Sequence, residues 1–158
     1  MRYFLDTEFW EQGAHEPIRL ISIALLAEDG RMCYREVAGA WLWTESEWLQ
    51  EHVIPHLLRD EHEMSPFEIA HDVLHFVGDD PSPEFWGYYS DYDWVVFCQL
   101  FGDMGSLPKG WPYYCSDLRQ SLDERGLTHI KQPDDAQHIA YGDAQWVART
   151  WREYIEGR

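Results

Sequence analysis

Residues 3–8 (YFLDTE), 18–27 (IRLISIALLA) and 31–37 (RMCYREV) are three runs rich in aliphatic and aromatic residues, and Glu28-Asp29-Gly30 joins the last two. Apolar runs of this length around an Asp-Gly turn predict strands, and their order predicts an antiparallel three-stranded meander at the start of the fold. Downstream the pattern changes. Thr44 with Glu47 and Ser65 with Glu68 have capping-box spacing, and Pro66 falls at a first helical position, so helices are expected to begin near residues 45 and 66. Pro55 is expected to end or kink the first. Residues 84–89 (EFWGYY) read as a short aromatic strand and residues 91–101 as a helix. The loop 108–112 (PKGWP) leads to an expected strand at Tyr113-Tyr114-Cys115, after which Asp117 caps a helix ending near Gly126. From Gly142 onward, Trp146, Ala148, Trp151 and Ile155 mark a final amphipathic helix. Strands first, then strands alternating with helices, predict an α/β fold: one mixed sheet flanked by helices, in a single domain spanning 1–158.

Composition narrows the function. The 158 residues are 45% hydrophobic and 26% charged, which is globular, and no apolar run approaches the roughly 20 residues needed to span a bilayer. Three cysteines without CxxC spacing argue against a disulfide framework or a structural zinc site and suit a reducing cytoplasmic setting. A net charge of −17 argues against gripping long duplexes through their phosphates, but divalent cations on clustered carboxylates would bring positive charge to a short nucleic-acid end.

Asp6 and Glu8 stand two apart on the first expected strand, so its alternation turns both carboxylates to one face beside an apolar stretch. A buried, unpaired carboxylate pair is costly, which points to hard divalent ions such as Mg²⁺ or Mn²⁺, although a solvated strand edge would also carry these residues. Asp91 and Asp93 lie where a strand passes into a helix, and His138 precedes Asp143 by five residues at the start of the last helix. Taken singly, each aspartate is more simply a helix cap and the histidine a structural residue. The i, i+4 pairs His52/His56 and His71/His75 fit solvent-facing helices, and His71-Asp72 is a fragment of a metal-dependent phosphohydrolase pattern of the HD type. Arg149 and Arg152 could meet phosphate or pair with Glu153 and Glu156. Nine Trp, nine Tyr and seven Phe suffice for a core and for rings that stack on unpaired bases, with Phe9 and Trp10 the favoured pair among Phe9, Trp10, Tyr88, Tyr89 and Trp94.

In combination, Phe4-Leu5-Asp6-Thr7-Glu8, Tyr92-Asp93 and His138-Ile139-Ala140-Tyr141-Gly142-Asp143-Ala144 resemble the three motifs of the DEDDh exonucleases, the family of RNase T, oligoribonuclease and polymerase proofreading subunits. Asp-Thr-Glu-Phe at 6–9 and Tyr-Asp-Trp at 92–94 look most like the compact bacterial and phage 3′–5′ exoribonucleases. The resemblance implies an RNase H-like fold and two Mg²⁺ or Mn²⁺ ions on Asp6, Glu8, Asp93 and Asp143. It selects Asp93 over Asp91 because an aromatic residue precedes the family's aspartate. His138 is the implied general base, since Ile139 occupies the position that carries tyrosine in the sister DEDDy class. Hydrolysis from the 3′ end of single-stranded RNA or 3′ overhangs, releasing nucleoside 5′-monophosphates, is the implied reaction, with DNA as the alternative substrate and a homodimer as a possible assembly. Thr7, Phe9 and Trp10 are the candidate substrate contacts. A binding-only domain of the same fold would usually have lost a ligand, whereas all five positions are filled.

Overall fold

The computed structural model describes residues 1–133 and 138–157, among which six strands form one mixed sheet. These are β1 (Arg2–Trp10), β2 (Arg19–Ala27), β3 (Met32–Val37), β4 (Glu63–Met64), β5 (Glu84–Gly87) and β6 (Ser116–Asp117), arranged as β4-β3-β2-β1-β5-β6. The first three pair antiparallel, as the meander predicts, while β4, β5 and β6 each pair parallel to their neighbour. Gly30, at φ 94°, supplies the left-handed turn between β2 and β3, with its N–H donating to the Ala27 carbonyl at 2.9 Å. This antiparallel start with parallel additions beyond β1 is the arrangement of an RNase H-like sheet.

Strand alternation distributes the core to two faces. Tyr3, Leu5, Ile23 and Leu25 pack with Phe85 and with α3 (Pro66–Val77) and α4 (Asp91–Leu100) on one side. Phe4, Ala24 and Leu26 pack on the other side with α5 (Leu118–Glu124) and α6 (Ala140–Trp151). Eight of the nine β2 residues are buried, as expected for a strand covered on both faces. A third cluster of Ile21, Ala40, Leu49, Val53 and Ile54 seats two short helices, α1 (Ala40–Trp43) and α2 (Glu47–His52). No helix among the described residues is long and apolar enough to cross a membrane.

Several local expectations need correction. The capping box at Ser65 and Glu68 forms in full, but the cap of α2 is Ser46, not Thr44. Thr44 instead closes α1, an unanticipated helix, by donating its hydroxyl to the Ala40 carbonyl at 2.8 Å. Pro55 lies in a 3₁₀ turn, Ile54–His56, beyond the end of α2. The last strand is Ser116–Asp117, not 113–115, because only Ser116 and Asp117 meet Trp86 and Gly87 of β5, while Tyr113 and Tyr114 stay exposed. Glu36 of β3 is buried and accepts from the Tyr34 hydroxyl and the Leu58 and Arg59 amides, holding the segment that follows α2.

Gly87 ends β5 where the chain turns into α4, and a Cβ there would lie 2.5 Å from Ser90 Cβ and 3.3 Å from the Leu5 carbonyl. The Ser90 amide is tied to Asp117 at 2.9 Å, so the turn has little room to yield. Gly87→Ala is expected to cost about 2 kcal/mol and to lower the melting temperature. Unchanged thermal unfolding would show that the turn relaxes freely.

Candidate active site

Asp6 and Glu8 have the parity of Phe4 and therefore face α6. Their cross-strand neighbours on β2 are Ala24 and Ser22, small residues that leave space above the sheet. Asp143, in the first turn of α6, reaches into that space, and one oxygen from each of Asp6, Glu8 and Asp143 lies within 4.8 Å of the others. Asp143 is held by the His138 amide at 2.9 Å on Oδ2 and by Gln132 on Oδ1. Asp93 arrives from the opposite face of the sheet, in the first turn of α4, and its Oδ1 accepts from the Thr7 amide at 2.8 Å and the Thr7 hydroxyl at 2.7 Å. Asp93 is buried, whereas Asp91, two residues earlier, is exposed.

No ion pair reaches any of these four carboxylates among the described residues. Burial pushes the Asp6 carboxyl well above its usual range, and the charges of Asp93, Glu8 and Asp143 add to the effect. Burial, then Asp143 and Asp93, do the same to Glu8. Asp93 and Asp143 are each pushed up to about 6 by burial, against the opposing pull of their hydrogen bonds. Such an assembly is unfavourable by itself and is relieved by protons or by cations. An all-oxygen donor set of this charge fits hard divalent ions.

The carboxylates form the floor of a cleft of about 480 Å³, walled by Phe9, Trp48, Tyr88, Tyr89, Lys131 and His138 among others. His138 has a left-handed backbone, φ 69°, uncommon for a residue with a side chain. The edge of its ring meets Trp48 at 4.6 Å between centroids, and Trp48 in turn stacks on His52 at 4.8 Å. Burial, followed by the nearby His52 and His56, lowers the His138 pKa below its ordinary value.

The sequence-derived residues Asp6, Glu8, His138 and Asp143 thus converge, with Asp93 beside them. Thr7 lines the cleft, yet its hydroxyl is committed to Asp93, and Phe9 lines it while stacking on Tyr92 at 5.7 Å. Trp10 is not brought there: it stacks on Trp43 at 6.2 Å and packs with the cluster under α1 and α2. Trp94 is buried in the core. Asp72 is engaged by Arg35 at 2.6 Å, and among the described residues the His71-Asp72 fragment gathers no metal-binding group. Arg152 donates to the Glu28 carbonyl, beyond the far end of α6. Trp48, Lys131 and Gln132 had no motif to mark them; an acid-free, cation-bearing pair just ahead of the His138 motif was the available signal.

Folded carboxyls with raised pKa bind protons more tightly than the unfolded chain, so their penalty is absent below about pH 4 and grows as pH rises through about 6. In EDTA, Asp143→Asn is therefore expected to be more stable than wild type at pH 8, on the order of 2 kcal/mol, with the difference fading near pH 4. Thermal melts across that range check it, and a variant no more stable than wild type at pH 8 would show that burying the ionised Asp143 carries no such penalty.

A family model described as the 3′–5′ exoribonuclease Rv2179c-like domain matches residues 1–155. Two curated proteins of Mycobacterium tuberculosis are similar to the chain: 3′–5′ exoribonuclease Rv2179c of strain H37Rv and 3′–5′ exoribonuclease MT2234.1 of strain CDC 1551. Each is 36% identical over 156 residues, covering 96% of this chain and 92% of its own length. With nearly its whole length matched by the model and by these relatives, the chain belongs to the Rv2179c-like family of 3′–5′ exoribonucleases.

Proposed function

We propose that the protein shortens single-stranded RNA from its 3′ end, with two Mg²⁺ or Mn²⁺ ions on Asp6, Glu8, Asp93 and Asp143, the residue set of the DEDDh exonucleases. The RNA assignment follows the names of the mycobacterial relatives, and the chemistry rests on one observation: carboxylates from β1 and α6 meet within 4.8 Å and, among the described residues, no cation pairs with them. When bound, such ions would neutralise charge on a phosphodiester and favour ionisation of water beside it. The chain's own residues supply the rest. His138 takes the proton from the attacking water, and its lowered pKa keeps the ring neutral and able to do so at physiological pH. Its amide, aimed by the left-handed turn, orients Asp143, while Thr7 orients Asp93. The exposed ring of Tyr89, which lines the same cleft, offers a stacking face to an unpaired base, so a single-stranded end fits better than a duplex.

Incubation with end-labelled RNA and DNA of matched sequence, in Mg²⁺, Mn²⁺ or EDTA, tests the reading. Stepwise release of nucleoside 5′-monophosphates from RNA is expected with either ion and none in EDTA, and intact RNA under all three conditions would refute it. His138→Ala is expected to lower kcat by about 10²–10⁴-fold. In wild type kcat should rise with pH through a pKa below 6.5 and then level off, a limb missing from the variant. Asp93→Asn should abolish turnover and Asp91→Asn should retain most of it, and the reverse result would move the ligand role to Asp91.

A further inference from the structure

Among the described residues, Lys131 is the one lysine or arginine that lines the cleft. The sequence holds only two lysines, Lys109 and Lys131, in a chain of net charge −17, and Lys131 lines the cleft. Other basic residues are engaged elsewhere: Arg2, Arg31, Arg35 and Arg119 pair with carboxylates, and Arg19 and Arg59 lie over the rings of Trp43 and Trp41. Lys131 forms no ion pair among the described residues, although three carboxylates share its cleft.

The backbone on either side of it is fixed. Buried Arg119 donates to the carbonyls of Leu127, at 3.2 Å, and Ile130, which anchors the chain immediately before the lysine. Gln132, the next residue, donates to Asp143. Lys131 is thus carried at a set place on the wall, with its exposed ammonium available to a ligand. An ammonium is a compact point charge suited to a phosphate oxygen. Cations on the carboxylate floor would serve the scissile phosphate, leaving a second phosphate of the same strand without a partner from that floor.

We infer that Lys131 binds an RNA phosphate next to the scissile one and sets the affinity of the cleft for a single-stranded end, a role that rests on the exonuclease reading above. A phosphate contact strengthens binding alike for every sequence and releases a counterion, so it leaves a signature in salt dependence.

The test measures steady-state rates on oligoadenylate and oligouridylate with Mn²⁺, from roughly 50 to 200 mM KCl, for wild type, Lys131→Met and Lys131→Arg. Lys131→Met is expected to raise KM roughly tenfold on both substrates and to flatten the slope of log KM against log salt by about 0.7, with kcat largely kept. Lys131→Arg should restore most of both effects, and the Mn²⁺-induced rise in melting temperature should be the same in all three proteins. Wild-type KM and salt slope in Lys131→Met would overturn the inference, as would a loss confined to kcat. Wild-type protein that leaves RNA intact would instead bring down the exonuclease reading, and this inference with it.

Discussion

The burial of clustered carboxylates, to which their mutual repulsion adds, is the constraint around which this molecule is organised. Asp6, Glu8 and Asp143 bring oxygens within 4.8 Å, and Asp93 adds its field from the neighbouring helix. A chain selected only for stability would separate these groups or give each a guanidinium. Instead Arg2 and Arg35 pair elsewhere, and two of the acids are steadied by neutral donors: Asp93 by the Thr7 amide and hydroxyl, Asp143 by the His138 amide and the Gln132 side chain. Neutral donors fix geometry without cancelling charge, which leaves the site's negative potential available to divalent ions.

The rest of the fold serves that convergence. β1 lies inside the sheet, paired with β5 over Arg2–Phe4 on one side and with β2 from Tyr3 to Trp10 on the other, so the strand that carries Asp6 and Glu8 is anchored in the middle of the fold. α6 and α4 cover opposite faces, and their first turns deliver Asp143 and Asp93 to the same strand end. Gly87 lets the chain pass tightly from β5 into α4, and α2, seated by the third cluster, brings Trp48 against His138. Carboxylates drawn from three elements can be positioned this way only when the sheet between them is rigid.

Much of this was legible in the residues, for definable reasons. The two-residue spacing of Asp6 and Glu8 encodes a shared face through strand alternation alone, and the meander follows from its apolar runs and the Gly30 turn. Asp93 and Asp143 were found through the resemblance of their motifs, because nothing in local spacing says that two helix starts will meet across a sheet. Features decided by tertiary pairing were misread. The aromatic Tyr113 and Tyr114 have strand propensity, but β5 offers partners only to Ser116 and Asp117. Trp10 follows Phe9 directly, yet past the bulge at Glu8/Phe9 it finds Trp43 and not the cleft. The placement of Lys131 and Gln132 depends on Arg119 and Asp143, through contacts that span eleven residues and that no helix or strand periodicity encodes.

We propose that these acids are gathered to hold divalent cations. Anomalous diffraction from crystals grown with Mn²⁺ and a nucleoside 5′-monophosphate tests it most directly. The account predicts two Mn²⁺ peaks coordinated by Asp6, Glu8, Asp93 and Asp143, with the nucleotide phosphate beside them. A map with no peak among these four carboxylates, at Mn²⁺ concentrations that support turnover, would contradict it.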